Sequence, residues 1–406
     1  MKRTLIAASL FAVTATVVAF YPTARSTGAV NPPPADPPVV QSPAVDPASG
    51  ERSRVDVVFA LDTTGSMGGL IQAAKEKIWS IATTMAQAQP APVIRMGLVA
   101  YRDRGDAYVT RRVDLSEDLD SVYARLMELQ ASGGGDGPES VNQALHDAVH
   151  RMAWSQDPQA YKVVFLVGDA PPHRDYPDDV QYPDTLVVAG QKGIVVNAVQ
   201  CGALPETASE WRQIAQLGQG RAFQVEQGGS AVAIATPFDA RLAELSARLD
   251  GTRLYYGSAE DKAVQARKLA AAEALHASAS VASRARRATF NASASGEANL
   301  LGKGELVDDV ASGRVDLSRI ERDRLPAPLQ ALAPAEQRRV LEEKAAERQA
   351  VKSQIQDLVE QRAGFLERKV TELGGAKDSL DEKIYGAVRE QAAARGLRYE
   401  ASAPSY

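Results

Sequence analysis

The sequence predicts a doubly wound α/β fold with a mostly parallel sheet, followed by an α-helical C-terminal region. Three observations carry this expectation. Short apolar runs alternate with amphipathic helical patterns from Arg54 to about Gly229. Those runs are nearly continuous in apolar residues, as in strands buried on both faces. Strand signals then stop near Ser230, and only helical spacing remains. Helices on both sides of a parallel sheet satisfy all three, and such sheets bind ligands at the carboxyl ends of their strands.

The elements follow in chain order. Lys2 and Arg3 precede an apolar stretch from Leu5 to Phe20, the pattern of an export signal with cleavage near Ala19 or Ala24. Left uncleaved, residues 1–25 are close to the shortest bilayer anchor, and this is the only membrane contact expected. Residues 26–53 contain NPPPADPPVVQSPAVDP, too poor in apolar surface to fold, and are expected to be a disordered linker. The strand candidates are Val55–Leu61, Val93–Tyr101, Ala107–Val113, Val163–Gly168, Ile194–Gln200 and Ala222–Val225. Helical stripes lie between them: Ile71, Ala74, Ile78, Ala82 and Met85; Leu119, Val122, Leu126 and Leu129; Val141, Leu145, Ala148 and Met152. The α/β domain therefore spans residues 54–235.

Residues 236–300 read as an alanine-rich helical segment, broken near Gly296–Gly304. Residues 301–399 read as a helical, coiled-coil-like region, and 400–406 as a tail. Within it RLPAPLQALAPAEQ marks turns and helix starts, and 335–373 runs as one charged helix. Its apolar seam of Leu341, Ala345, Val351, Ile355, Leu358, Phe365, Val370 and Leu373 is interrupted at Arg348 and Arg362. Such a seam packs on its own chain or mediates self-association.

Composition bounds the function. The chain is long enough to bury a full core, and its net charge of -5, without a long basic run, gives no footprint for nucleic acid. The single cysteine excludes an internal disulfide, and it lies far from any cleavage point, which excludes a lipoprotein. The expected location is the periplasm or the outside of the cell.

Three segments deliver oxygen donors to one edge of the predicted sheet. LDTTGSMGG offers Asp62, Thr64 and Ser66 directly after the first strand. The loop from Ser132 to Glu139 carries Asp136 and leads into a helix expected near Pro138. Asp169 follows the strand ending at Gly168. Carboxylates and hydroxyls without sulfur suit a hard cation, Mg²⁺ or Ca²⁺. Capping is the plainer alternative: Thr64 to Ser66 for one helix, Asp136 for another, and a turn braced by Asp169.

Together these pieces, D-x-T-x-S, a glycine loop with an oxygen donor and a later aspartate, resemble a von Willebrand factor type A domain with its metal-ion-dependent adhesion site. The resemblance covers roughly residues 54–235. It implies a doubly wound fold binding a divalent cation at the top of the sheet. Ser66 and Thr64 would ligate the metal directly, Asp62 and Asp169 directly or through water, and a protein partner would bind at or near it. The glycine loop departs from the adhesion pattern by offering Asp136 where a threonine is usual. Three aspartates around a divalent ion leave the site near -1, which favours a tightly held cation or a partner bound through neutral oxygens.

Rival patterns are weaker. Asp62 as the nucleophile of a metal-dependent phosphatase needs an acid two residues on, where Thr64 stands, and a second aspartate soon after Asp169, where His173 and Arg174 stand. His146 and His150 mimic a zinc helix, but they fall off its apolar stripe. Arg104-Gly105-Asp106 reads as a turn between strands, and Cys201 as a packed core residue. The sequence therefore predicts a non-enzymatic, cation-dependent binding module.

Overall fold

The computed structural model describes residues 52–135, 137–228, 234–372 and 379–399. The expected signal and tail, and the linker up to residue 51, lie outside them, as does Asp136. The described part forms one compact unit.

Its sheet has the order β3-β2-β1-β4-β5-β6. The strands are β1 (Arg54–Asp62), β2 (Val93–Tyr101), β3 (Thr110–Ser116), β4 (Tyr161–Gly168), β5 (Ile194–Cys201) and β6 (Gln219–Val225). All pairings are parallel except β2 with β3. The doubly wound expectation therefore holds. The third strand begins three residues later than expected, because 107–109 are drawn to the sheet's upper rim. There Tyr108 bonds Thr63 through its hydroxyl at 2.8 Å and lies under the Arg102 guanidinium.

Alternation along β1 and β4 splits their side chains between two cores. Val58, Ala60, Val164 and Leu166 face the helices α3 (Val141–His150), α4 (Tyr182–Gln191) and α5 (Pro205–Leu217). Val57, Phe59, Val163 and Phe165 face α1 (Gly68–Ala86) and α2 (Leu119–Glu128). Two of the predicted stripes fall on this second layer, with Ile71, Ile78, Ala82 and Met85 buried from α1.

The rest of the chain is helical among the described residues: α6 (Asp239–Asp250), α7 (Ala259–Ser278), α8 (Val281–Asn291), α9 (Ala294–Leu301), α10 (Leu306–Ala311), α11 (Ala327–Gln330), α12 (Pro334–Glu372) and α13 (Leu380–Ala393). Gly296 lies inside α9 rather than at a break; the chain turns at Gly302 and Gly304, both with positive φ. In α12 the two arginines that interrupt the seam are buried with it. Arg348 forms two bonds to Glu305, at 2.8 and 2.9 Å, and Arg362 reaches Asp239 at 2.9 Å. Val351 and Ile355 pack with Leu242, Leu245 and Ala288, so the seam is used within the chain.

This helical region is built onto the α1–α2 layer. Arg287 of α8, fully buried, grips Asp120 of α2 with two bonds of 2.6 Å and Asp250 of α6 at 2.8 and 3.0 Å. The Phe290 ring lies tilted against Trp79 of α1, with centroids 5.8 Å apart. The last helix, α13, lies on the same sheet face. Ile384, Ala387 and Val388 join Val57 and Phe59 in one core, and Gln391 exchanges two amide bonds with Asn197 of β5. Beyond it Arg398 pairs with Gln89 in an antiparallel bridge.

Candidate metal centre

The carboxyl end of β1 leaves Asp62 fully buried, because the strand runs through the middle of the sheet. Its Oδ1 accepts two bonds from Thr64, from the backbone N–H at 2.9 Å and the hydroxyl at 2.7 Å. The Thr64 hydroxyl stands 3.5 Å from that of Ser66. Neither Thr64 nor the residue before α1 caps a helix with its side chain, so the hydroxyls are not consumed by capping. Asp62 Oδ2 is buried and has no hydrogen-bond partner among the described residues.

The glycine loop is laid against this turn. Gly65 N donates to Gly133 O at 3.1 Å, and Ser132 N to Thr63 O at 3.1 Å. Arg102 ties both segments through Thr63 O and Gln130 O, at 3.1 and 2.8 Å. Asp106 holds the loop from the other side, accepting from Gly134 N at 3.0 Å. A side chain at Gly133 would meet that carboxylate at 2.1 Å, and its φ of +79 suits glycine. The Arg-Gly-Asp turn thus works inside the molecule, with Arg104 paired to Asp178 at 2.8 Å.

Helix α3 starts at Val141, not near Pro138. The backbone of Glu139 instead pairs with the segment after β4: its N–H donates to Pro171 O at 2.9 Å, and its C=O accepts from His173 N at 3.1 Å. This places Glu139 at the rim, 3% exposed, with Oε2 buried and unpartnered among the described residues. Sequence reasoning passed over Glu139 in favour of Asp136. A glutamate ahead of an apolar stripe looks like a first-turn helix residue, and only tertiary pairing reveals that it is buried. Below it Asp103 accepts from Ser140 Oγ at 2.9 Å and Tyr176 O–H at 2.9 Å, with His173 Nε2 at 3.2 Å.

Asp169 completes the third segment. Its Oδ2 accepts from the Gln227 side-chain amide at 2.6 Å, and its backbone C=O accepts from Thr207 at 2.8 Å. The acids repel one another. Burial pushes the Glu139 carboxyl to about 9, aided by the charges of Asp62, Asp103, Asp106 and Asp169. Burial also raises Asp62 to about 7; the bonds from Thr64 oppose this, and the Asp169 charge adds to it. Among the described residues no three Asp, Glu, His or Cys side chains suffice for a metal by themselves. A cation here needs the hydroxyls of Thr64 and Ser66 as well. Two orphaned, buried carboxyl oxygens beside those hydroxyls fit such an ion, since a buried polar atom left without a partner costs about 1–3 kcal/mol.

The other candidates have structural roles. His146 and His150 stack on each other at 4.5 Å on the outer side of α3. Cys201 is buried at the end of β5, and burial raises its thiol far above the usual range.

Fold and site define a class: a doubly wound α/β domain that gathers oxygen donors at the carboxyl rim of its sheet. Residues 56–227 match the von Willebrand factor A domain family, and this segment is such a domain. A 114-residue stretch is 36% identical to von Willebrand factor A domain-containing protein 7 of Rattus norvegicus, covering 28% of this chain and 12% of that one. Another, of 121 residues, is 31% identical to alpha-protein kinase vwkA of Dictyostelium discoideum, covering 29% of this chain and 19% of that one. The chain thus spans less than a fifth of the length of these curated relatives. Among solved structures, proximal thread matrix protein 1 from the mussel byssus with a zinc-occupied MIDAS motif is 17% identical at a TM-score of 0.33. That match covers 43% of this chain and 42% of that one.

Proposed function

We propose that this protein is a divalent-cation-dependent protein-binding module, with Asp62, Thr64, Ser66, Glu139 and Asp169 holding Mg²⁺ or Ca²⁺ at the rim. Asp136, on the same loop, belongs to the proposed set on sequence grounds. The observation that carries the reading is the pair of buried, unpartnered oxygens, Asp62 Oδ2 and Glu139 Oε2. Von Willebrand factor A domains generally bind protein partners, which supports an interaction role over catalysis. The ion would supply a Lewis-acidic position for an oxygen of the partner. With Asp62, Glu139 and Asp169 all ionised, three negative charges exceed the two of the cation. A neutral oxygen is then a better partner group than a carboxylate. The sequence pattern of residues 1–25 extends the proposal to an exported protein of the cell envelope.

Calorimetric titration of the cation-free protein tests the first step. Wild type should give a saturable heat with Mg²⁺ or Ca²⁺, and Asp62→Asn should give none. A flat wild-type trace at millimolar concentrations of both ions removes the cation from the proposal. Pull-down from envelope extract should yield partners that chelation releases. Turnover of a simple phosphate ester would instead favour Asp62 as a nucleophile.

A further inference from the structure

The segment leaving β6 does not simply depart from the domain; it crosses the rim. Gly202 N donates to Val225 O at 2.9 Å, and Gln224 Nε2 donates to Gly202 O at 2.9 Å, which fixes the exit of the strand. Gly202 has φ +75, and a Cβ there would stand 2.4 Å from Gln227 Oε1, so the amide lies directly against the loop after β5. From that seat Gln227 Nε2 donates to Asp169 Oδ2 at 2.6 Å and reaches the backbone C=O of Ser66 at 3.4 Å. It therefore touches two of the three donor segments. The side chain itself is exposed.

We infer that Gln227 is an intramolecular occupant of the cation site: its amide N–H fills a lone pair of Asp169 that a divalent ion, or its water, would otherwise take. The inference rests on the cation reading proposed above. An amide carries only partial positive charge, so it neutralises Asp169 incompletely and yields to a full cation. Asp62 and Glu139 have no such substitute among the described residues, and they keep their orphaned oxygens. Cation binding then releases Gln227, and by linkage Gln227 lowers the affinity for the cation. The segment so released leads, through residues 229–233, to α6 of the helical region.

The test uses the full-length protein with Mg²⁺ as the probe, in wild type, Gln227→Ala and Gln227→Glu. Removing the competing bond should tighten Mg²⁺ binding by calorimetry about three- to tenfold in Gln227→Ala, the net worth of one ordinary hydrogen bond. Gln227→Glu keeps the shape but cannot donate, and should tighten binding at least as much. In parallel, backbone hydrogen exchange at residues 226–228 should accelerate on adding Mg²⁺ to wild type. In Gln227→Ala it should already be fast without the ion. Unchanged or weaker binding in Gln227→Ala, or exchange in wild type that ignores Mg²⁺, overturns the inference while leaving the cation site intact. Absence of Mg²⁺ binding in all three proteins instead defeats the cation reading, and this inference falls with it.

Discussion

The two faces of the sheet are closed in different ways. One face is covered by α3, α4 and α5, all drawn from residues between Val141 and Leu217. The other is begun by α1 and α2 and finished by α8 and α13, with Phe290, Ile384 and Val388 in the same core as Val57 and Phe59. The first face is local in sequence, the second is not. The contrast shows that a family match ending at residue 227 does not mark where the hydrophobic core ends. The burial of β1, β4 and β5 is completed only by the end of the described chain.

Removing residues 380–406 should have the largest effect. It strips Ile384, Val388 and Leu397 from the second face, and each buried side chain of this kind contributes about 1.5–3 kcal/mol. The loss is comparable to a whole domain's stability of about 5–15 kcal/mol. The truncated protein should be insoluble, or lack a cooperative thermal transition by circular dichroism. A truncated protein melting like the intact one would show that the two faces are equally self-contained. Next in size is Arg287→Leu, which leaves Asp120 buried without its guanidinium, while Asp250 keeps Arg253 and His276, and should cost about 3–5 kcal/mol in urea unfolding. Replacing an exposed residue of the locally closed face, Leu217→Ala, should change stability by less than about 0.5 kcal/mol.

The most local prediction concerns the rim, where both faces meet. Asp62 near 7 and Glu139 near 9 are raised, so the folded protein retains protons that the unfolded chain has released. Stability without cation should therefore fall as pH rises from about 4 towards 9, the window between unfolded and folded values. A thermal melt at pH 9 should lie several degrees below one at pH 5. Glu139→Gln should flatten that slope, and so should saturating Mg²⁺. A slope that Mg²⁺ leaves untouched would separate these acids from any ion.

Much of this was legible in the sequence, for reasons that differ by region. Near-continuous apolar strands announced a two-sided sheet, and β2 was read with its observed ends because both are marked by composition. Asp62, Thr64 and Ser66 were legible because they share one turn, where spacing alone places them together. Glu139 was not, since its burial depends on pairing with Pro171 and His173, far away in sequence. The arginines of α12 looked like flaws in an apolar seam because their partners, Glu305 and Asp239, are likewise remote. For α13 the pattern shows an amphipathic helix, but no periodicity names the surface that it covers.

The distance between Asp62 and Leu380, on the order of 300 residues, bears on how the molecule is made. A chain emerging from the ribosome presents β1 and β4 with one greasy side only partly covered until α13 has been synthesised. Completion of this core is thereby postponed until α13 has emerged, and the growing polypeptide stays open to chaperones until then.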